Sequence, residues 1–395
     1  MTVEQVWRTE APHVLAALTR RYGDFGDCED AVQEALLAAA AQWPREGMPH
    51  DPRAWLITVA QRRLIDQVRS ESARRRREER YAADALDGAA PVGVDDSLEV
   101  LLLCAHPALT KASQVALILR AVSGLTTAQI AAGFLVPEAT MAARITRAKK
   151  TLAAAGSRFP APAADLSARV GAVRHALALL HTEGHVRSSG EELSDAGFSG
   201  EAIRLARSLW RAVPADPENA GLLALLLLTH ARGPARTDAH GDLVPLEAQD
   251  RSRWRRDLIA EGVAILEAVL PVGPVGEFQL QAAIAAVHDE AASWAATDWP
   301  QIAELYRMLD LVAPGEAVTI GRAVAVARTE GPAAGLALLD PLAGSRNHRV
   351  AATRGHLLAE LGRTAQARVA LEQAARMTPS IPEQRYLNRL LHEMA

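Results

Sequence analysis

Residues 125–152 read LTTAQIAAGFLVPEATMAARITRAKKTL. Thr127 is a candidate cap for a short first helix, Val136-Pro137 interrupts the chain, and a second helix follows. The second helix has an apolar face and, beside it, a basic residue at every third position. These basic residues are Arg144, Arg147 and Lys150. The segment predicts a helix-turn-helix whose second helix fits a DNA major groove; an ordinary solvated helix is the alternative.

Two linkers flank this segment. Residues 86–97 read LDGAAPVGVDDS and residues 156–162 read GSRFPAP, and both compositions are typical of connections without regular structure. We therefore expect three domains and two linkers. The predicted division is a first domain at residues 1–81, a linker at 82–98, a second domain at 99–156, a linker at 157–165 and a C-terminal region at 166–395.

The composition favours an all-α protein. Aromatic residues make up 4% of the 395 residues, hydrophobic residues make up 49%, and alanine and leucine dominate. The longest apolar runs, such as Leu222–Leu228, are far shorter than the roughly 20 residues that a membrane span needs. We expect a cytoplasmic protein that does not contact membranes.

The first domain reads as three helices. Gly23–Asp27 interrupts the first two, and Asp27 or Asp30 is a candidate cap for the second. The prolines at 44, 49 and 52 predict a loop directly after Trp43. Asp51 then caps a third helix that begins at a proline. The apolar stripe of this helix is Leu56, Ala60, Leu64 and Val68.

Two basic blocks are candidates for phosphate contact. Arg62–Arg80 contains eight arginines and four acidic residues, and Lys111–Arg158 contains seven basic residues and one acidic residue, Glu138. The net charge of the whole chain is only −4. The basic character is therefore local.

The C-terminal region repeats a pattern of small and apolar residues that ends in proline. Its copies are Ala202, Ala206, Leu209 and Pro214; Ile302, Tyr306, Leu309 and Pro314; and Ala367, Leu371, Ala374 and Pro379. The copies start 100 and 65 residues apart, close to multiples of the roughly 34-residue tetratricopeptide (TPR) period. We expect a TPR-like array of helices.

No enzyme motif is present, and we predict no catalytic residue, no metal and no cofactor. Cys28 and Cys104 lie outside any CxxC pair and are interpreted as small core residues. His181 and His185 have the spacing of helical metal ligands, but Gly184 between them should end the helix, so we predict no metal site there.

The order of the motifs resembles a known family. EDAVQEALL at residues 29–37, DPRAWLITVAQRRLIDQVRSE at 51–71 and the helix-turn-helix resemble regions two and four of bacterial extracytoplasmic-function (ECF) sigma factors. DDSLEVLLLCAHPAL at 95–109 and HGDLVPLEAQDRSRWRRDLIAEG at 240–262 are similar to the subgroup with a long C-terminal TPR-like extension. The resemblance implies a subunit that directs core RNA polymerase to promoter DNA.

The resemblance assigns roles to particular residues. Asp30, Gln33 and Glu34 match the face that binds core polymerase through its β′ subunit, with the β subunit as a further partner. The residues that match the promoter −10 contacts are Arg62, Arg63 and Arg69, and those that match the −35 contacts are Thr140, Ala143, Arg144, Arg147 and Lys150. Residues 42–51 match the loop that holds a flipped −10 base.

Some features depart from the family pattern or allow another interpretation. Leu135 stands where other members often have glycine, which puts the geometry of the turn in question. Arg74–Arg77 are either DNA-facing or simply solvated. Residues 250–256, DRSRWRR, are either a surface between extension and sigma core or a charged helix turn.

Two other function classes remain open from the sequence. One is a helix-turn-helix activator with a TPR sensor, which would not be a polymerase subunit. The other is a TPR adaptor whose N-terminal helices bind only protein. For a sigma factor, the resemblance implies an extension that contacts the sigma core or an unknown regulator and controls the protein intramolecularly.

Overall fold

The protein is all-α, as predicted. The computed structural model describes residues 3–75, 97–122, 125–134, 136–155, 166–187 and 193–394. Within these ranges no strand is formed, and one isolated bridge joins Thr237 and Leu243. In the same ranges no helix is long and apolar enough to cross a membrane.

Eighteen α-helices are found in the described ranges. Their bounds are α1 Val3–Tyr22, α2 Phe25–Glu46, α3 Pro52–Arg75, α4 Ser97–Cys104, α5 Lys111–Val122, α6 Thr127–Gly133, α7 Glu138–Ala154, α8 Leu166–His185, α9 Ala196–Ala212, α10 Pro217–Ala231, α11 Arg256–Val269, α12 Glu277–Glu290, α13 Trp299–Val312, α14 Glu316–Glu330, α15 Pro332–Leu338, α16 His348–Glu360, α17 Thr364–Met377 and α18 Ile381–Glu393. The chain divides into two compact units, Met1–Leu177 and Ala178–Ala395.

The second helix begins earlier than the sequence predicts. Asp24, and neither Asp27 nor Asp30, is its N-cap, and the Asp24 carboxylate accepts a hydrogen bond from the Asp27 backbone N–H at 2.9 Å. Gly23 directly follows the first helix and has a φ of 84°. Glycine adopts such a positive φ without steric cost. Capping by Asp24 leaves Asp30 inside the helix, about one and a half turns from its start.

The same helix also ends later than predicted. It continues through Pro44 to Glu46, so the loop starts at Gly47, whose φ is 86°. Proline removes one helical hydrogen bond, to the carbonyl of residue 40. That residue is exposed, so water can replace the missing donor and the last turn survives.

The third helix starts as predicted. The Asp51 carboxylate accepts from the Ala54 N–H at 3.0 Å, and Pro52 is the first helical residue. Leu56, Ala60 and Leu64 are buried, with at most 3% of their surface exposed. The side chain of Val68, the fourth member of the predicted stripe, lies outside the described residues.

Helices α4–α7 form the second small domain. The predicted helix-turn-helix is α6 and α7, but Thr126 rather than Thr127 caps α6, in a capping box with Gln129. Gln129 N–H donates to Thr126 Oγ1 at 3.2 Å, and Thr126 N–H donates to Gln129 Oε1 at 2.9 Å. Pro137 begins α7. Residue 135, where a turn glycine is expected, lies outside the described residues.

The two small domains pack on one another within the first unit. Helix α1 contacts α4 and α5, and α2 contacts α7. Arg20 of α1 forms an ion pair with Glu99 of α4 at 3.5 Å. Cys28 and Cys104 are buried in the apolar cores, as predicted, and burial raises the pKa of the Cys28 thiol to about 12.

The first unit also includes the start of α8. Arg169 is 1% exposed, and its guanidinium donates to the backbone carbonyl of Leu102 in α4 at 2.8 Å. A buried guanidinium with a carbonyl acceptor is a fixed structural contact.

The second unit consists of helices that pack on their successors in the chain. The clearest predicted repeat is the pair α16 and α17, in which Ala367, Leu371 and Ala374 are fully buried. A Cβ built at Gly355 would lie 2.6 Å from Leu371 Cγ, so glycine permits the close approach of the two helices. Pro214, Pro314 and Pro379 each follow the end of a helix, as the repeat predicts.

Candidate functional site

Helix α2 presents one outward face. Its buried side includes Ala31, Val32, Ala35 and Leu36. Asp30 and Glu34 therefore point outward and are exposed, with Gln33 half-buried between them. The structure thus brings the three sequence-predicted residues together on consecutive turns, as their spacing requires.

One residue of this face was not predicted from the sequence. Leu37 follows Asp30 by seven positions and Glu34 by three, so it lies on the same side of α2. It is 65% exposed, which makes it one of the few large apolar side chains in the described ranges that are mainly in solvent. The i+3 and i+7 spacing is the signal that could have identified it. We call Asp30, Gln33, Glu34 and Leu37 the α2 face.

The acidic members of the α2 face have partners within the first unit. Lys149 Nζ of α7 donates to Asp30 Oδ1 at 2.8 Å and also contacts Glu29 Oε2. Glu34 forms an ion pair with Arg63 of α3 at 3.4 Å. Because Asp30 and Glu34 have exposed side chains, these pairs are accessible to a competing partner.

Glu29, directly beside the face, is the buried member of this network. Its side chain is 3% exposed and is surrounded by Lys149, by the Arg120 guanidinium at 3.5 Å and by the Gln33 amide, which donates to it at 3.2 Å. A carboxylate buried this deeply needs such partners. Burial lowers the pKa of Lys149, but the charges of Glu29 and Asp30 outweigh it and raise that pKa overall.

The candidate −10 residues lie on α3. Arg62 and Arg63 are exposed, and Arg63 also forms the ion pair with Glu34 of the α2 face. Arg69 lies in the same helix, but its side chain is outside the described residues, as are those of Arg74–Arg77. Trp55 is half-buried and packs edge-to-face on the buried Trp43 with ring centroids 5.2 Å apart, which favours a core role.

The candidate −35 residues lie on α7. Met141, Ile145, Ala148 and Leu152 are buried. Thr140, Ala143, Arg147 and Lys150 are therefore exposed together. Arg144 is half-buried, and its guanidinium lies 5.4 Å from the centre of the ring of Phe134, the C-cap of α6, which positions it. Lys149, which the sequence places in the same basic run, contacts α2 instead.

The histidine pair in α8 is a packing feature. The rings of His181 and His185 stack at 5.7 Å, and burial together with His230 and Arg236 lowers the pKa of His181 to about 3. The prediction that Gly184 ends the helix is wrong, because α8 runs through it to His185. A Cβ at Gly184 would lie 2.5 Å from the Ser199 backbone N, so close packing explains this glycine.

The basic segment at 250–256 is partly internal to the second unit. Arg251 is 9% exposed and donates to the carbonyls of His288 and Ala291 at 2.6 and 2.7 Å, with its guanidinium 4.5 Å from the Trp254 ring centre. This arginine is a structural residue of the second unit. It is therefore not available for the external contact surface that the sequence left open.

Comparison with known proteins identifies the two small domains. Residues 6–74 match the model of sigma-70 region 2, and residues 99–152 match that of sigma-70 region 4. The probable ECF RNA polymerase sigma factor SigI of Mycobacterium tuberculosis (strain CDC 1551 / Oshkosh) is 34% identical over 140 residues, which are 33% of this chain and 47% of that protein. The chain belongs to the ECF sigma factors.

Further relatives define how far the similarity extends. An uncharacterized protein of Rhizobium meliloti (strain 1021) is 42% identical over 398 residues, 97% of this chain and 94% of the relative. The ECF RNA polymerase sigma factor SigK of Mycobacterium sp. (strain KMS) is 40% identical over 78 residues, 19% of this chain and 39% of that protein. Residues 169–270 match a family of unknown function, DUF6596. No solved structure gives a significant match. The two mycobacterial relatives thus align with at most a third of this ECF sigma factor, whereas the Rhizobium protein aligns with nearly all of it.

Proposed function

We propose that the chain binds core RNA polymerase through the α2 face and directs it to specific promoters. The observation that carries this proposal is the arrangement of Asp30, Gln33, Glu34 and Leu37 on one side of a helix within the region 2 match. Two carboxylates flanking an amide, beside an exposed leucine, suit a partner surface that is basic at its rim and apolar at its centre.

The β′ subunit is the proposed partner of the α2 face, with β as a further contact. The protein would then act in the cytoplasm, where its polymerase acts. It catalyses no reaction itself in this proposal, since promoter binding and opening need only differential affinity for DNA states.

Promoter DNA is proposed to bind two basic surfaces, one on α3 and one on α7. Arg62, Arg63 and Arg69 of α3 are proposed to contact the −10 element. Helix α7 is proposed to contact the −35 element through the residues Thr140, Ala143, Arg144, Arg147 and Lys150. Along α7 the uncharged Thr140 and Ala143 precede the three basic residues. This order supports the placement, because early residues of a recognition helix approach base edges and later cations approach phosphates.

Run-off transcription tests the proposal. Purified core polymerase is combined with the full chain on promoter fragments from the same genome, and transcripts are expected only when both proteins are present. Core polymerase alone is the control. A chain that neither binds the core in a low-salt pull-down nor supports any transcript is not a sigma factor in function, and an activator or adaptor role takes its place.

We further propose that the extension modulates the sigma domains. Truncation after Pro162 should change the output of a promoter reporter, and equal output from the truncated and full chains would reject this. Because truncation also removes the buried Arg169 contact to α4, Arg169→Ala in the full chain is the matched control. Modulation by the extension predicts that the truncation has an effect which Arg169→Ala does not reproduce.

A further inference from the structure

The recognition helix contacts the N-terminal end of the α2 face, at Asp30. Lys149 of α7 reaches Asp30 and the buried Glu29, and Arg120 of α5 approaches Glu29 from the same domain. Helix α7 lies close to α2 at Gly26, where a Cβ would be in ordinary van der Waals contact with Lys149 Cβ, at 3.9 Å. We call the arrangement of Gly26, Glu29, Asp30, Arg120 and Lys149 the α2–α7 contact.

This contact is incompatible with simultaneous occupation of both promoter elements. As their names state, the −10 and −35 promoter elements are centred about 25 base pairs apart. This separation is about 85 Å of duplex at about 3.4 Å per base pair. Helix α7 has 17 residues and is therefore about 25 Å long. While Lys149 joins α7 to α2, α7 is too short to bind the −35 element when the first domain is bound at the −10 element.

The contact also involves the surface proposed to bind polymerase. Asp30 holds the Lys149 ammonium at 2.8 Å, and Gln33 is hydrogen-bonded to Glu29. A polymerase cation that pairs with Asp30 competes with Lys149 for the charge of this carboxylate. Binding of the core and closure of α7 onto α2 therefore compete for the same carboxylate.

We propose that the α2–α7 contact is an autoinhibitory device, in which Lys149 holds region four on the polymerase-binding face until core polymerase displaces it. This rests on the proposed function of that face. The free protein is then closed, and its apparent affinity for the core is reduced by the small fraction that is open. Lys149 acts as a positioning residue between domains rather than as a DNA contact.

A reversible cross-link tests the device in the full chain. Gly26→Cys with Lys149→Cys, in a background where Cys28 and Cys104 are alanine, places two Cβ atoms at the spacing of a disulfide, about 3.8 Å. The oxidised protein is locked closed, whereas the reduced protein has lost the Lys149 ion pairs. We expect at least tenfold weaker binding to core polymerase in the oxidised form, restored by a reducing agent.

A neighbouring cysteine provides the matched control. Gly26→Cys with Lys150→Cys keeps Lys149 and moves the second thiol about 100° around α7, so this pair should not cross-link. Lys149→Ala alone should tighten core binding by about threefold to tenfold, whereas Lys111→Ala, an exposed lysine elsewhere in the same domain, should not change it.

Each outcome decides between the proposals. Absence of the 26–149 cross-link, or equal core affinity of the oxidised and reduced forms, overturns the autoinhibitory device. If instead Asp30→Arg with Glu34→Arg leaves core binding intact, the proposed function of the α2 face fails, and this failure is visible independently of whether the cross-link forms.

Discussion

Lys149 Nζ lies 2.8 Å from Asp30 Oδ1, although the two residues are separated by 119 positions in the chain. This pair connects a residue expected to bind polymerase with the helix expected to bind DNA. A change at either end therefore affects both the docking of the two domains and the binding of their partners.

Charge reversal on the α2 face should abolish core binding. Asp30→Arg with Glu34→Arg places two cations where a basic partner surface is expected, and like charges at an interface cost several kcal/mol. We expect at least a hundredfold loss of affinity in a core pull-down or titration, with unchanged helix content by circular dichroism. Glu46→Arg, at the exposed end of the same helix, is the control and should bind as the wild type does.

The exposed leucine of the α2 face should contribute apolar contact. Leu37→Ala removes a side chain that is 65% exposed in the free protein, so the stability of the first unit should change little. Core affinity should fall about tenfold, or about 1.4 kcal/mol. Leu311→Ala, which alters a 76% exposed leucine of the second unit, is the comparison. Equal affinity of the two variants for core polymerase would show that Leu37 lies outside the interface.

Removal of cations from α7 should change the salt dependence of DNA binding. Each phosphate contact contributes about −0.9 to the slope of log affinity against log salt concentration. Arg147→Ala with Lys150→Ala should make the slope of holoenzyme binding to promoter DNA shallower by about 1.8. Arg211→Ala, an exposed position in the second unit, should leave the slope unchanged. An unaltered slope in the double variant would show that Arg147 and Lys150 of α7 do not contact DNA phosphates.

Two glycines of the second unit should respond to alanine in opposite directions. A Cβ at Gly335 would lie 2.4 Å from the Ala323 carbonyl oxygen, whereas a Cβ at Gly200 meets nothing within 4 Å. Gly200→Ala should stabilise by about 0.5–1 kcal/mol, because glycine is a poor residue for a helix interior. Gly335→Ala should destabilise, since backbone has to move. Calorimetry of the second unit's transition measures both, and the same sign for the two variants would contradict the packing of α15 on α14.

The buried carboxylate of Asp289 should make the stability of the second unit depend on pH. Burial raises the pKa of Asp289 to about 6, although Arg232 and Arg251 act in the opposite direction. Its pKa in the folded state lies above the unfolded value, so the folded protein binds the extra proton. The stabilising effect is complete below about pH 4 and is lost as the pH rises through about 6.

Comparison with Asp289→Asn isolates this carboxylate. The pKa of the neighbouring His288 is lowered to about 3 by burial and by Arg232 and Arg251, and this histidine contributes the opposite pH dependence. The difference between wild type and Asp289→Asn cancels the histidine contribution. We expect the wild type to lose about 2 kcal/mol relative to the variant between pH 4 and pH 7. A difference that stays constant with pH would show that Asp289 is ionised at an ordinary pKa.

The sequence predicted individual elements better than their ends. Asp51 and Pro52 marked the start of α3 because cap and first-turn preferences are local. The caps at Asp24 and Thr126 were each misplaced because several adjacent polar residues can serve, and packing selects one. Pro44 did not end α2, since an exposed last turn can exchange a missing hydrogen bond for water.

The sequence by itself determined the class of this protein, its helical domains and the positions of its candidate binding residues. These features follow from periodicity, caps and motif order, which act over a few turns of chain. Only the tertiary structure decided that the Leu37 side chain is left exposed by the rest of the first unit and that Lys149 contacts α2 rather than solvent. Those outcomes depend on which surfaces two separate domains bury against one another, and no local pattern specifies the partner of a charge more than one hundred residues away.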